Sequence, residues 1–173
     1  MSLVKHGCQV IQLDEPVLMR YPDQAIAYGV QDVQRCFEGV PNEVTTAVHL
    51  CCGYPSYCDQ DDYMKADEAH YITLAKLLDE TGVNQVSIED AEAKNDLEAL
   101  LPHFKKMTVI FGAIAIARSR IETVDEVKKR IEVALKYIDP DRLVLAPDCG
   151  LGYLTDEMIQ AKLKVMVEVA KSF

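Results

Sequence analysis

The feature that most constrains the fold of this chain is a regular alternation of short apolar runs with longer segments of helical periodicity. The runs are rich in β-branched residues and are bounded by polar or turn-forming residues, which is typical of buried strands. Five such runs occur, at residues 8–13, 44–51, 85–89, 107–111 and 142–146. Continuous apolar runs between helices predict parallel strands that are covered on both faces.

The segments between the strands show the apolar spacing of helices. They predict helices over residues 24–37, 61–80, 95–105, 123–137 and 155–170, the fourth opening on the capping box Thr123 to Glu126. Five strand–helix units form either a doubly wound sheet or a barrel. No Gly-rich phosphate loop follows the first strand, so a nucleotide-binding sheet has no positive support. We expect one domain over residues 1–173, with residues 1–6 as a leader.

Composition narrows the possible partners and compartment. The hydrophobic fraction of 49% is sufficient for a packed core and argues against disorder. A net charge of −10 disfavours nucleic acid and anionic membrane surfaces as partners. No apolar run is long enough to span a bilayer and the start lacks a signal-peptide pattern, so a cytoplasmic location is expected. In that compartment the six cysteines are candidate metal ligands or buried thiols rather than a disulfide framework.

Reactive residues concentrate at the ends of the predicted strands. Asp14 and Glu15 end the first strand, His49 and Cys51 the second, Glu89 the third, and Cys149 follows the fifth. The carboxyl ends of parallel strands converge on one face of an α/β fold, where ligands bind. These side chains are therefore expected to line one mouth.

His49 and Cys51 are two residues apart on a strand, so both side chains point to the same side. A His-x-Cys pair alone is a weak signal, because buried cysteines without metal are common. Together with Glu89 and Cys149 at matching strand ends, the pair completes a tetrahedral set of two thiolates, one imidazole and one carboxylate. The sequence therefore predicts a zinc site. Cys8 and Cys36 fit core positions instead.

Four segments resemble the C-terminal catalytic domain of cobalamin-independent methionine synthase, and they follow its order and approximate spacing across nearly the whole chain. The segments are residues 11–16 (IQLDEP), 49–51 (HLC), 87–89 (SIE) and 147–151 (PDCGL). The resemblance implies a partial TIM (β/α) barrel, comprising about five C-terminal βα units of a (β/α)8 fold. It also implies a zinc ion held by His49, Cys51, Glu89 and Cys149, and a contact from Asp14 to the amino group of homocysteine.

The implied activity is methyl or alkyl transfer to a small thiol, for which the zinc ion lowers the pKa of the acceptor. Asp14 and Glu15 are the expected substrate-binding residues at the mouth. The sequence departs from the family at Ala115 and Ala117, which stand where methionine synthases carry an Asp and a His. That His is thought to help protonate the folate leaving group, so the alkyl donor stays open and no catalytic residue is assigned.

Arg118, next to these alanines, is a candidate contact for an anionic substrate group, although a surface ion pair is the commoner role for arginine. An epoxyalkane:coenzyme M transferase-like activity, with a sulfonate thiol as acceptor, would need such a cation. A further alternative is a non-catalytic zinc-binding fragment or partner subunit of the same fold.

The number of units is the second departure from the family. Five units cannot close an eight-stranded barrel, so the strands at residues 10–13 and 143–146 should remain as open edges. A homodimer or a complementing N-terminal half is expected to cover them.

Overall fold

The computed structural model describes residues 2–173 and contains a parallel sheet whose strands follow one another in chain order. The strands are β1 (Val10–Glu15), β2 (Thr45–Leu50), β3 (Gln85–Ile88), β4 (Thr108–Ile114) and β5 (Leu143–Pro147). Every neighbouring pair is parallel. A doubly wound sheet reverses its order at a switch point, whereas a barrel steps to the next strand each time. The order therefore confirms an arc of a (β/α) barrel.

The helices lie between the strands, as the periodicity predicts. They are α1 (Ser2–Lys5), α2 (Pro22–Gln24), α3 (Val30–Cys36), α4 (Ala69–Asp79), α5 (Leu97–Leu100), α6 (Val124–Ala134) and α7 (Asp156–Ala170). A π-helical turn, Ala25–Gly29, joins α2 to α3, and 3-10 turns lie at Leu101–His103 and Pro140–Arg142. Thr123 accepts a hydrogen bond from the Glu126 N–H at the start of α6, which confirms the predicted capping box.

The two faces of the sheet carry different residues because side chains alternate along each strand. The face covered by helices is apolar and its central residues are fully buried: Val48, Leu50, Val86, Ile88, Val109 and Phe111. The opposite, concave face carries Gln12, Asp14, His49 and Ser87, which border an open cavity. The reactive side chains thus lie on the face that would be the interior of a complete barrel.

One predicted helix is wrong in its first half. Residues 61–68 are not helical, and α4 begins only at Ala69. The loop is held by the Ala66 N–H, which bonds the Cys52 carbonyl at 2.7 Å, while the Asp67 side chain accepts from the Ala69 N–H at 2.9 Å. These bonds take up backbone groups that a longer helix would have used. The core assignment of Cys36 is also wrong, since this residue is exposed on α3.

The sheet is open, and β1 and β5 form its two edges, as predicted. Edge residues Val10 and Val144 are 59% and 44% exposed. Among residues 2–173 no helix has the length and apolar character needed to cross a membrane.

Candidate metal centre

Three of the predicted ligands converge at the carboxyl end of the sheet. His49 lies on β2, Cys51 follows that strand directly, and Cys149 follows β5. One ligand atom from each of the three lies within 4.8 Å of the other two. The convergence arises because parallel strands bring their carboxyl ends to one edge, and the curvature of the sheet brings β5 towards β2.

The imidazole of His49 is oriented for a ligand. Its Nδ1 atom lies 2.9 Å from Ser87 Oγ, on the neighbouring strand β3. Its Nε2 atom is buried and, among the described residues, has no hydrogen-bond partner. A buried polar atom without a partner is costly. A ring that donates from Nδ1 presents a lone pair at Nε2, and two sulfurs beside it complete a donor set suited to zinc.

The interaction between the two thiols shifts their pKa values in opposite directions. The bond from Cys51 lowers the pKa of Cys149, against the effect of its burial. The same bond, together with burial, raises the pKa of Cys51. Burial alone would lower the pKa of His49, but the neighbouring Cys51 and the negative charges of Glu89 and Asp14 raise it. The electrostatic environment of the cluster thus favours a positive charge, as a cation site requires.

Glu89, the fourth predicted ligand, lies beside this cluster but is not part of it. Its Oε1 atom accepts the Cys52 N–H at 2.7 Å, and its Oε2 atom lies 3.4 Å from Lys65 Nζ. The carboxylate is almost fully buried, with 3% of the residue exposed. The structure therefore brings His49, Cys51 and Cys149 together and keeps the Glu89 carboxylate on other partners.

Ion pairs extend from Glu89 to Arg118. Lys65 Nζ lies 3.7 Å from Glu92 Oε2 as well as near Glu89, and Arg118 Nε lies 2.9 Å from Glu92 Oε1. Arg118 also pairs with Asp61, and these bonds to Asp61 and Glu92 raise its pKa. The arginine predicted to meet a substrate anion is therefore already paired with two carboxylates.

A cavity of about 370 Å³ opens on the concave face next to the cluster. Asp14, His49, Ser87 and Cys149 are among its lining residues. Asp14 is exposed there and accepts a hydrogen bond from Gln12 at 2.8 Å. Glu15 differs, because its Oε1 atom accepts the N–H of Val17 at 2.8 Å in the turn after β1. Of the two substrate contacts predicted in this strand, Asp14 lines the cavity, whereas Glu15 bonds within the turn.

Two buried groups support the strand ends. The carboxylate of Asp148 accepts backbone N–H bonds from Asp90, Ala91 and Glu92, each at 2.9 Å. It thereby joins the end of β5 to the loop that carries Glu89, and burial raises the pKa of Asp148 to about 7, although these bonds act to lower it. The hydroxyl of Tyr71, in α4, donates to the Leu50 carbonyl at 2.7 Å.

The positions of Ala115 and Ala117 bring no acid–base group to the mouth. Both are buried, and the Ala115 N–H donates to Glu122 Oε1 at 3.0 Å. Glu122 in turn pairs with Lys162 on α7, which is fully buried. Lys162 Nζ lies 2.8 Å from Glu122 Oε2. The segment is thus fixed to α7 by a structural ion pair.

Sequence reasoning missed Ser87 and Lys65. Ser87 could have been found, because it lies on the predicted third strand two residues before Glu89 and so shares its face. Lys65 could not, because residues 61–68 carry the spacing of a helix and the loop that brings this lysine to Glu89 depends on distant backbone contacts.

Comparison with known proteins shows the family of the chain. The model of the cobalamin-independent synthase catalytic domain matches residues 1–172. The chain belongs to the cobalamin-independent methionine synthase family. Methionine synthase from Thermococcus kodakarensis is 32% identical over 170 residues, which cover 96% of this chain and 44% of that protein. Methionine synthase from Pyrococcus abyssi is 29% identical over 170 residues, which cover 98% of this chain and 45% of that protein.

A solved structure agrees with this family assignment. The B12-independent methionine synthase from Shewanella sp. W3-18-1, in complex with selenomethionine, superposes with a TM-score of 0.81 at 28% identity. The match covers 98% of this chain and 50% of that one. The chain thus spans about half the length of the methionine synthases that it matches.

Proposed function

We propose that this chain forms the zinc-binding part of a thiol methyltransferase site, with His49, Cys51 and Cys149 as its metal ligands and a homocysteine-like thiol as acceptor. The observation that carries the proposal is the buried, unpartnered Nε2 atom of His49 within a set of ligand atoms 4.8 Å or less apart. Family membership supports methyl transfer as the reaction class. The expected cytoplasmic location belongs to the same proposal.

A zinc ion at this site would lower the pKa of the acceptor thiol and favour its thiolate form. The residues of the chain have separate tasks around it. Ser87 orients the His49 ring through its 2.9 Å contact, and the exposed Asp14 carboxylate lies in the adjacent cavity, where it can hold the ammonium group of an amino-acid thiol. Together these contacts would hold the acceptor sulfur next to the metal ligands.

In the reaction the acceptor sulfur attacks the methyl carbon of the donor, so that a carbon–sulfur bond forms as the bond from carbon to the leaving group breaks. The electron pair departs with the leaving group, which then takes a proton. Ala115 and Ala117 carry no titratable side chain, so this proton comes from water or from a group beyond this segment. We therefore leave the donor open.

Glu89, the predicted fourth ligand, stays a proposed ligand. Its negative charge acts to raise the pKa of His49, Cys51 and Cys149, and its oxygens accept from the Cys52 N–H and Lys65. A carboxylate has further lone pairs, so these bonds leave Glu89 able to act as a ligand.

The open sheet favours a second reading, a metal-binding half that acts only when a complementary half closes the barrel. β1 and β5 are unpaired edges, and the matched methionine synthases are about twice as long. A second copy of the chain or an N-terminal half could supply the missing strands. The epoxide-opening alternative loses support, because Arg118, its sulfonate contact, is paired with Glu92 and Asp61.

The proposal is tested by metal analysis of the purified chain. We expect about one zinc ion per chain, and Cys51→Ser or Cys149→Ser should lower the content sharply because a hydroxyl is a poor replacement for thiolate. The matched control is Cys36→Ser, since Cys36 is exposed on α3. Equal zinc content in all four proteins would refute the site. Turnover across a matrix of thiols and donors, with and without an N-terminal half, then separates an active enzyme from a non-catalytic fragment.

A further inference from the structure

Cys51 and Glu89 lie just past the point at which the sheet stops holding their strands. The last paired residue of β2 is Leu50 and that of β3 is Ile88, so each of the two is the first residue beyond the ladder. His49 differs, because it lies inside the ladder and the sheet itself fixes its backbone. The backbones of Cys51 and Glu89 need a further support if their side chains are to meet one metal ion.

The hydroxyl of Tyr71 contacts both backbones at this point. It donates a hydrogen bond to the Leu50 carbonyl at 2.7 Å and accepts one from the Glu89 N–H at 3.0 Å. The Leu50 carbonyl belongs to the peptide unit that joins Leu50 to Cys51, and the Glu89 N–H to the unit that enters Glu89. One oxygen atom therefore ties together the two peptide units that lead into these residues.

Tyr71 is itself firmly held. It lies in the first turn of α4, is only 1% exposed, and its ring is part of the hydrophobic core. The hydroxyl also accepts from the Cys52 thiol, with Sγ at 3.3 Å. Because side chains in a close-packed interior have little freedom to move, the position of α4 determines where this hydroxyl lies between the two strand ends.

We propose that Tyr71 is a positioning residue for the metal centre: its hydroxyl sets the separation of the Cys51 and Glu89 backbones and thereby the geometry in which their side chains meet a metal ion. The inference rests on the proposed metal site, with Glu89 as its proposed fourth ligand. Groups behind metal ligands orient them and tune metal affinity. Without the hydroxyl, the Leu50 carbonyl and the Glu89 N–H lose a buried partner, and the two strand ends can shift.

Cobalt(II) titration of the metal-free chain tests this, because chelator competition gives the affinity and the absorption bands of bound cobalt report the geometry of its ligands. Tyr71→Phe keeps the ring and removes only the hydroxyl. We expect this variant to bind cobalt more weakly than wild type by roughly 10- to 100-fold, the range typical of changes behind metal ligands. Its visible and thiolate charge-transfer bands should also differ from those of wild type.

Thr81→Val is the matched control, because Thr81 lies beyond the other end of α4, at the amino end of β3. Its buried hydroxyl donates to the Leu78 carbonyl at 2.6 Å and accepts from the Val83 N–H at 3.3 Å, so it too has two backbone partners. The control should lower the melting temperature of the metal-free chain, as Tyr71→Phe does, but should bind cobalt like wild type.

A second control, Cys52→Ala, removes the thiol contact of the Tyr71 hydroxyl and leaves its two backbone contacts. It should also bind cobalt like wild type. All titrations are run below the melting temperature of each metal-free variant, with an osmolyte that favours the compact state where a variant needs it. The comparison is then between folded proteins.

The inference is overturned if Tyr71→Phe binds cobalt with the affinity and spectrum of wild type. It is also overturned if Thr81→Val weakens binding as much, because a general loosening around α4 then explains the effect, or if Cys52→Ala does, because the thiol is then responsible. Failure of the proposed function looks different. In that case the wild-type chain binds no cobalt or zinc, or Cys51→Ser binds them as well as wild type does.

Discussion

Gly112 lies where β3, β4 and β5 meet beneath the candidate metal centre, and it leaves no room for a side chain. A Cβ atom at this position would lie 2.3 Å from Asp148 Oδ1, 2.8 Å from Asp148 Cα and 2.8 Å from the Ile88 carbonyl oxygen. Two of these three atoms belong to the backbone of β3 and the end of β5, so neither can rotate away. Gly112→Ala must therefore push the two neighbouring segments apart.

The cost can be estimated from these overlaps. Inserting a methylene into a packed interior destabilises a protein by ~1–3 kcal/mol, and three contacts this close place Gly112→Ala near the upper end. Replacing glycine also lowers the entropy of the unfolded chain, which stabilises the folded protein by ~0.4–1 kcal/mol. A net loss of about 2 kcal/mol remains, which for a chain of this size lowers the melting temperature by roughly 4–8 °C.

Thermal unfolding of the metal-free protein, followed by circular dichroism, measures this shift. Gly152→Ala is the matched control, because its Cβ atom would meet only Tyr54 Oη, at 3.7 Å. We expect the control to melt at or slightly above the wild-type temperature. Zinc affinity should fall in Gly112→Ala alone, since Asp148 precedes the proposed ligand Cys149. If Gly112→Ala melts within about 1 °C of wild type, the backbone at this junction yields easily and the reasoning is refuted.

Two further predictions concern the substrate cavity and the open edges. Asp14→Asn should weaken binding of the amino-acid thiol by the loss of a charge-assisted hydrogen bond worth ~1.5–3 kcal/mol, with zinc content unchanged. Calorimetry of thiol binding measures this loss. If the variant loses zinc instead, Asp14 is part of the metal site. Because β1 and β5 are unpaired edges, light scattering at micromolar concentration should show association of the chain, and a clean monomer that melts cooperatively would contradict this.

The strands and their order in space were predictable because each is a continuous apolar run with reactive residues at one end. The edges at β1 and β5 followed from counting units against the eight strands of a closed barrel. The convergence of His49, Cys51 and Cys149 followed from the rule that parallel strands end on one face. These inferences depend on backbone geometry, which the strand pattern determines.

The side-chain partners were less predictable because they depend on loops. The segment at residues 61–68 carries helical spacing, yet the Cys52 carbonyl and the Asp67 side chain take its backbone bonds and deliver Lys65 to Glu89. The same limit applies to Arg118, whose partners Asp61 and Glu92 lie far away in the sequence. No local pattern distinguishes a free cation from one that a distant carboxylate already neutralises.

The ligand arrangement also has a consequence for how the chain folds. His49 and Cys51 precede α4, whereas Cys149 follows β5, so the metal set is complete only after every strand from β2 to β5 has docked in order. Such long-range closure is late and slow in folding. A metal that binds only the finished arrangement stabilises it by mass action, and it fastens the second strand to the last across the arc. The ion would then set the curvature of a sheet that has no closed ring of strands to impose one.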